Sequence, residues 1–373
     1  SLQRFVSHIA DAPRHAVVNG AGQSKDGGKK SKMEMKVKRR TRGSIRPKRS
    51  EVAALAGVSE ATVSYVFSNK RYVSPALRER VMAAADELDY RPDMIAGAMI
   101  TNRTNTIAVL TNDIASPLQM EVVKGIQKAA MSKDYFVNVC GGTANLERYI
   151  DNFIARRVDG VFVSVVSSFV SEHYLKKLLD RDISVIITSM RHVSDDRICG
   201  LELDFNRGMY QIIDHLIGLG HKKIAYLSGF DRNYSDDQRL FSFYAAMRDR
   251  LGSGEPLVEE GESPYDSTVQ TGYALMKRLM ARTRDFTAVV CTNDMMASGA
   301  MGALAEAGLR VPYDVSVVGM DDIQFAQVFN PPLTTISHRS EEYGEKIFDI
   351  LDDNIRDKSV VRREVIEPGL IVR

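Results

Sequence analysis

From Thr106 onward the chain alternates short apolar runs with amphipathic stretches. T-I-A-V-L-T, Y-F-V-N-V-C, D-G-V-F-V-S-V-V, I-S-V-I-I-T, K-K-I-A-Y-L-S-G, T-A-V-V-C-T and V-S-V-V-G-M are rich in Val and Ile. Runs of this kind read as strands buried on both faces. Helix-like stretches intervene at 118–133, 146–156, 173–179, 207–219, 241–251, 268–281 and 296–307. The alternation predicts parallel sheets covered by helices on both sides. So long a segment predicts two α/β subdomains with a cleft between them. Ligands of open parallel sheets sit beyond the C-terminal ends of the strands. Those ends carry Asn112, Asp113, Ser164, Thr188, Ser189, Thr292, Asn293, Asp294, Asp321 and Asp322. Many short polar groups in one cleft suit a small molecule rich in hydroxyls or amides.

The preceding segment has a different period. In V-S-E-A-T-V-S-Y-V-F-S-N at 58–69, Val63, Val66 and Phe67 recur at helical spacing. Ser59 can cap this helix with its hydroxyl. Residues 50–56 read as a second short helix, and Gly57 supplies a tight turn between the two. A third helix opens at Ser74-Pro75, runs through Leu77, Val81, Ala84, Ala85 and Leu88, and ends at Tyr90-Arg91-Pro92. The pattern fits a helix-turn-helix, and taken alone fits an ordinary helical hairpin as well. Residues 93–101, D-M-I-A-G-A-M-I-T, have helical potential but are too few to be stable alone. They read as a hinge that orders when a partner stabilises it.

Composition sharpens this division. A chain of 373 residues with 44% apolar content can bury two or three cores. No stretch approaches the ~20 uninterrupted apolar residues of a membrane span. The first residues do not read as an export signal. Cys140, Cys199 and Cys291 are isolated and form no metal-ligand spacing, so reduced buried thiols and a cytoplasmic setting are expected. Net charge is +2, yet residues 1–50 hold 14 Lys or Arg against 3 Asp or Glu, a balance of +11 that leaves −9 for the remainder. A basic end on an acidic protein points to a polyanion partner. Residues 1–44 read as a disordered basic tail.

The order of these parts resembles the lactose-repressor (LacI/GalR) family of bacterial transcription regulators. The resemblance rests on V-A-x-L-A-G-V-S-x-x-T-V-S at 52–64, L-D-Y-R-P at 88–92 and S-P at 116–117. It continues in H-L-I-x-L-G-H-K-K-I-A-Y-L-S-G at 215–229 and T-N-D-M-M-A-S-G-A at 292–300. G-L-R-V-P-Y-D-V-S-V-V-G-M-D-D at 308–322 and P-P-L-T-T-I at 331–336 complete it. It implies an all-α helix-turn-helix domain at 45–91 and a hinge at 92–104. A two-lobed α/β, periplasmic-binding-protein-like effector domain would follow at 105–373. It further implies a homodimer on a near-palindromic double-stranded DNA operator, repression, and control by a small-molecule effector between the lobes. Location would be cytoplasmic, at the nucleoid, with no membrane and no cofactor or metal.

By position, the resemblance places Glu60, Ala61 and Tyr65 at base-reading sites and Ser59, Thr62 and Ser64 at phosphate contacts. Tyr65 stands where Arg is common, and Tyr cannot read guanine bidentately. Met99 stands where the family usually has a Leu that wedges into a minor-groove step. Glu60 has a second reading, charge compensation at a helix terminus. In the cleft, Arg239, Asn293 and Asp321 match the family's polar effector ligands, with Asn112, Leu118 and Ser189 beside them. Leu118 and Gln119 replace an aromatic pair often found there, and Ser189-Met190 replaces a commoner Asp-Arg. The effector is left open between a sugar and another small metabolite. For Asp294 a helix-capping role is expected rather than ligand contact.

Two other classes compete. An enzyme could use Asp294, Asp321, Asp322, His215 or His221, but the chain has no phosphate loop, nucleophile elbow, H-E-x-x-H or dinucleotide fingerprint. A solute-binding protein shares the two-lobed plan but needs an export signal and no DNA-reading unit. After Asp357 no long leucine heptad follows, so a dimer is expected rather than a tetramer. The tail R-R-E-V-I-E-P-G-L-I-V-R reads as a final strand.

Overall fold

The computed structural model describes residues 47–68, 71–92, 102–142, 145–164, 170–191, 193–231, 237–252, 256–262 and 265–373. The expected basic tail and Met99 lie outside the described residues. The chain divides into two compact units, Ser1–Pro92 and Asp93–Arg373.

The first unit holds α1 (Arg49–Ala56), α2 (Glu60–Ser68) and α3 (Pro75–Glu87). Its core is Val52, Ala53, Ala56, Val63, Val66, Val81, Ala84, Ala85 and Tyr90. The Tyr90 ring meets Phe67 edge-on at 5.7 Å. Gly57 ends α1 at φ 63°, ψ 43°, a left-handed position that glycine takes without steric penalty. Ser59 caps α2 as expected: its Oγ accepts from Thr62 N at 3.2 Å. Ser74 does not cap α3 with its side chain; the helix starts on Pro75 alone.

The second unit contains two six-stranded sheets. Its strands are β1 (Thr106–Thr111), β2 (Phe136–Gly141), β3 (Gly160–Ser164), β4 (Ser184–Ile187), β5 (Cys199–Leu203) and β6 (Ile224–Ser228). They continue as β7 (Leu257–Glu260), β8 (Ala288–Cys291), β9 (Ser316–Asp321), β10 (Thr334–Ser337), β11 (Arg363–Ile366) and β12 (Gly369–Ile371). The first sheet runs β11-β5-β4-β3-β1-β2 and the second β12-β10-β9-β8-β6-β7. All pairings are parallel except β10 with β12. Central strands β3, β4, β6 and β8 are buried almost throughout, as their unbroken Val/Ile character requires. Edge strand β2 leaves Phe136 and Val139 exposed.

The helices of this unit are α4 (Pro117–Ser132), α5 (Leu146–Ala155), α6 (Glu172–Leu179), α7 (Phe205–Gly218), α8 (Gln238–Leu251), α9 (Val269–Arg282), α10 (Asp294–Glu306) and α11 (Ser340–Arg356). Seven fall within three residues of the expected bounds. The amphipathic α11 was not anticipated, and neither were β5 and β7. The tail is two strands rather than one: β11 extends the first sheet and β12 the second. Pro368 lies between them, where it breaks a continuous strand.

The chain therefore crosses between the lobes three times, at Asp204, at His338-Arg339 and at Glu367-Pro368. Each lobe is closed by a helix pair that touches backbone to backbone through two glycines. A Cβ on Gly125 of α4 would lie 2.0 Å from Glu341 O, and one on Gly344 of α11 would lie 2.1 Å from Val122 O. In the second lobe Gly272 and Gly299 play the same part between α9 and α10.

Gly125→Ala is expected to destabilise the second unit by about 1–3 kcal/mol through overpacking, read as the denaturant midpoint of unfolding. Gly218→Ala, where a Cβ meets nothing within 4 Å, is the control and should hold or raise the midpoint. Equal effects of the two would contradict the close approach.

Candidate functional site

Two surfaces carry the residues singled out above. On the first unit, Ser59, Glu60 and Ala61 are exposed at the N-terminal end of α2, and Thr62, Ser64 and Tyr65 are half-buried along it. Helical geometry thus brings all six onto one short element. Glu60 accepts from Arg49 Nε at 3.2 Å, an exposed ion pair of modest worth. This supports charge compensation without removing the carboxylate from the surface. Ser59 and Thr62 share a hydroxyl–hydroxyl bond of 2.9 Å. The guanidinium of Arg71 lies over the Tyr65 ring at 5.1 Å. Sequence reasoning overlooked Arg71, although its basic character directly after the helix was a visible signal.

In the second unit a cavity of about 190 Å³ opens at the C-terminal ends of the strands, between the two sheets. Asn112, Leu118, Ser189 and Arg239 line it, as does Gln119. Asn112 follows β1 and Ser189 follows β4; Leu118 and Gln119 sit in the first turn of α4, whose cap is Ser116. Arg239 is the second residue of α8, which Asp237 caps by accepting from Leu240 N at 3.0 Å. Arg239 donates to the Thr292 carbonyl and, at 3.2 Å, to Asp321 Oδ1. Its guanidinium also covers the Phe205 ring at 4.6 Å.

Asp321 and Asn293 are not among the lining residues. Asp321 closes β9 with φ 113°, sparsely populated for a non-glycine residue, and sits behind Arg239 as its counter-charge. Burial pushes its carboxyl up to about 6, against the pull of Arg239. Asn293 is the cap of α10: its Oδ1 accepts from Met296 N at 2.8 Å and its Nδ2 donates to Ser267 O at 3.1 Å. The capping role expected of Asp294 thus belongs to its neighbour. Asp294 is fully buried and ties the end of the second sheet together. It accepts from Thr335 Oγ1 at 2.6 Å and from Ile323 N at 2.9 Å. Burial, with the nearby Asp321 charge added, pushes Asp294 up to about 8.

The lining includes residues the sequence reading did not weigh: Phe205, Phe230, Tyr265, His338, Ser340 and Tyr343. Phe230 and Tyr265 meet at 4.8 Å, and Phe205 meets His338 edge-on at 5.8 Å. Aromatic faces therefore wall the cavity despite the missing aromatic pair at 118–119. His338 is buried, and that burial lowers its pKa to about 3, so the ring is neutral. Such a set can bind and orient a small molecule. No nucleophile with an adjacent base stands among the described lining residues. Among the described residues no group of His, Cys, Asp and Glu could hold a metal ion, and no helix is long and apolar enough to cross a membrane. Cys140 is half-buried, Cys199 and Cys291 are buried, and all three are free thiols.

Comparison with known proteins places these observations. Residues 50–93 match the family described as bacterial regulatory proteins, lacI family. Residues 213–373 match the periplasmic binding protein-like domain. The HTH-type transcriptional repressor PurR of Vibrio parahaemolyticus is 35% identical over 332 residues, 87% of this chain and 96% of that protein. The protein of the same name from Mannheimia succiniciproducens is 32% identical over 330 residues, again 87% and 96%. Among solved structures, the lac repressor dimer bound to operator and the anti-inducer ONPF matches with TM-score 0.75 and 26% identity, over 88% of this chain and 98% of that one. The transcriptional regulator CelR in complex with cellobiose matches with TM-score 0.66 and 29% identity, over 88% and 99%.

The buried acids make a pH prediction. Unfolded, Asp294 ionises near 3.8; folded, it keeps its proton to about 8. The folded state then holds a proton the unfolded state has lost, so stability falls as pH rises through that range. His338 acts in the opposite sense but only below its ordinary 6.5. Between pH 6.5 and 8 the denaturant midpoint is therefore expected to fall, and Asp294→Asn should remove most of that slope. An unchanged slope in the variant would contradict the assignment.

Proposed function

We propose that this chain, which belongs to the LacI family of bacterial regulatory proteins, is a sequence-specific DNA-binding transcriptional repressor controlled by a small-molecule effector. The observation that carries this reading is the joining of two parts in one chain. One is a helix-turn-helix with an exposed, polar N-terminal end on α2. The other is a polar and aromatic cavity between two sheets.

The protein acts as a homodimer that places two α2 helices in successive major grooves of a near-palindromic operator. Glu60, Ala61 and Tyr65 face bases, and Ser59, Thr62 and Ser64 face phosphates. Met99 wedges into the minor groove between the half-sites. Asn112, Leu118, Ser189 and Arg239 touch the effector; Asp321 fixes Arg239, and Asn293 anchors the helix behind them. Effector binding changes the angle between the lobes and so the affinity for DNA, a coupling typically of about 1–3 kcal/mol. The effector is a sugar or another small metabolite. The site of action is the cytoplasm, at the nucleoid.

Selection of bound DNA from a random pool tests the reading. A near-palindromic site is expected; no enrichment would overturn it. Tyr65→Ala should relax base preference at one position of each half-site, whereas Ser64→Ala should weaken binding evenly across sequences. The reverse pattern would exchange their roles. Arg239→Ala should leave operator binding intact and abolish the effector response. Arg239→Ala/Asp321→Asn, which leaves no unpaired buried charge, guards against a folding defect. Unchanged effector sensitivity in both would remove Arg239 from the site. Sedimentation showing a stable tetramer would refute the dimer.

A further inference from the structure

Three buried polar side chains that line the cavity have unpartnered atoms. They are Gln119 Oε1, Ser340 Oγ and both ring nitrogens of His338. His338 is 2% exposed and Ser340 6%. The nearest charged atom to His338, Asp321 Oδ1, lies 3.8 Å from Nε2, beyond hydrogen-bond reach. Folded proteins seldom leave such groups unsatisfied, and polar atoms facing a cavity are met by whatever fills it.

Their place in the fold is as telling as their chemistry. His338 follows β10 directly, and Ser340 opens α11. Between them Arg339 takes φ 48°, a left-handed turn for a non-glycine residue. This is the second crossing between the lobes. Leu203 and Phe205, which flank the first crossing at Asp204, line the same cavity. The floor of the cavity is thus built from two of the three crossing segments.

We propose that His338, Ser340 and Gln119 form an effector-recognition subsite at the crossing segments, specific for an uncharged edge that presents a hydrogen-bond donor beside an acceptor. The argument rests on the cleft being the effector site. Gln119 Oε1 only accepts, so the ligand must offer a donor there. A neutral imidazole offers one donor and one acceptor, and Ser340 can do either. A vicinal diol of a sugar and the N–H/C=O edge of a lactam heterocycle both meet this demand; a carboxylate does not, because it cannot donate. Charge points the same way. Arg239 is already balanced by Asp321, and Asp237 already serves Ser228 and the α8 cap. The lining therefore offers no spare positive charge for an anion. Because the bonds are made to the crossing itself, this subsite reads ligand identity and lobe angle together. In the effector-free protein, water satisfies the same atoms.

The test uses the full chain and thermal shift followed by calorimetric titration. The probes are D-glucose, D-ribose, uracil and hypoxanthine, with D-gluconate and orotate as anionic counterparts of the first and third. At least one neutral probe is expected to stabilise the protein, and gluconate and orotate are not. The responding probe tells the diol from the lactam. Ser340→Ala should weaken its binding roughly 2- to 10-fold, the range of one hydrogen bond. His338→Leu should weaken it further, and His338→Gln should restore part of it. Melting without ligand is expected to be unaltered in Ser340→Ala, which separates recognition from folding. Loss of binding in Arg239→Ala with full binding in Ser340→Ala and His338→Leu would sink the subsite and leave the cleft reading intact. Binding that survives all three would place the probe outside the cleft and sink both. Preference for an anionic probe, or no response to any neutral one, would overturn the proposed edge.

Discussion

The second unit depends on one constraint: its chain must pass between two separately folded sheets three times within a few residues each. The crossings at Asp204, His338-Arg339 and Glu367-Pro368 tie each lobe to the other without a shared core. Each lobe has its own buried clusters, on both faces of its sheet. What lies between them is the set of strand ends and crossing segments. A ligand there touches the structure where the lobes can change their relation most cheaply, because loops absorb dihedral changes that packed helices resist.

The chemistry of the cavity follows from the same arrangement. Strand ends from two sheets converge, and their short polar side chains find partners across the gap rather than in water. Arg239 joins α8 to β9 through Asp321 and to the end of β8 through Thr292. Such a buried pair adds little net stability, since desolvation offsets most of the attraction. Its effect is to hold one guanidinium in one place, over the Phe205 ring. Asp294 does the same one layer deeper, joining α10 to β10 and to the turn at Ile323. Two buried acids a short distance apart stay tolerable because one shares the charge of Arg239 and the other retains a proton.

Much of this was legible in the sequence, for identifiable reasons. Central strands bury both faces, so their Val/Ile runs stand out, and the helices between them carry clear periods. Gly57 and Ser59 marked the turn and cap of the first unit by chemistry that acts within a few residues. Edge strands were harder. β5 and β7 each have a polar side, as in L-V-E-E, and lack an unbroken apolar run. The α11 helix carries Tyr343, Ile347, Phe348, Leu351 and Ile355 at helical spacing, but Gly344 and its many acids mask the pattern. The division of the tail between two sheets is set by tertiary pairing, which no local pattern reports. At the site, Arg239 and its neighbours were visible as polar residues beyond strand ends. His338 and Ser340 were not, because their importance arises from a crossing that only the folded chain creates. Asn293 was legible as a polar strand end, yet its hydrogen bonds show that helix capping engages its side chain.

The account turns on thermodynamic coupling between the cavity and the DNA-reading unit. The most direct measurement is the affinity of the purified protein for its selected operator with and without the active fraction of a metabolite extract, alongside the affinity for that fraction's ligand with and without operator. The account predicts that each ligand changes the affinity of the other by the same factor, and that the factor differs from one. A ligand that binds the cavity with the same affinity whether or not operator is present would contradict it.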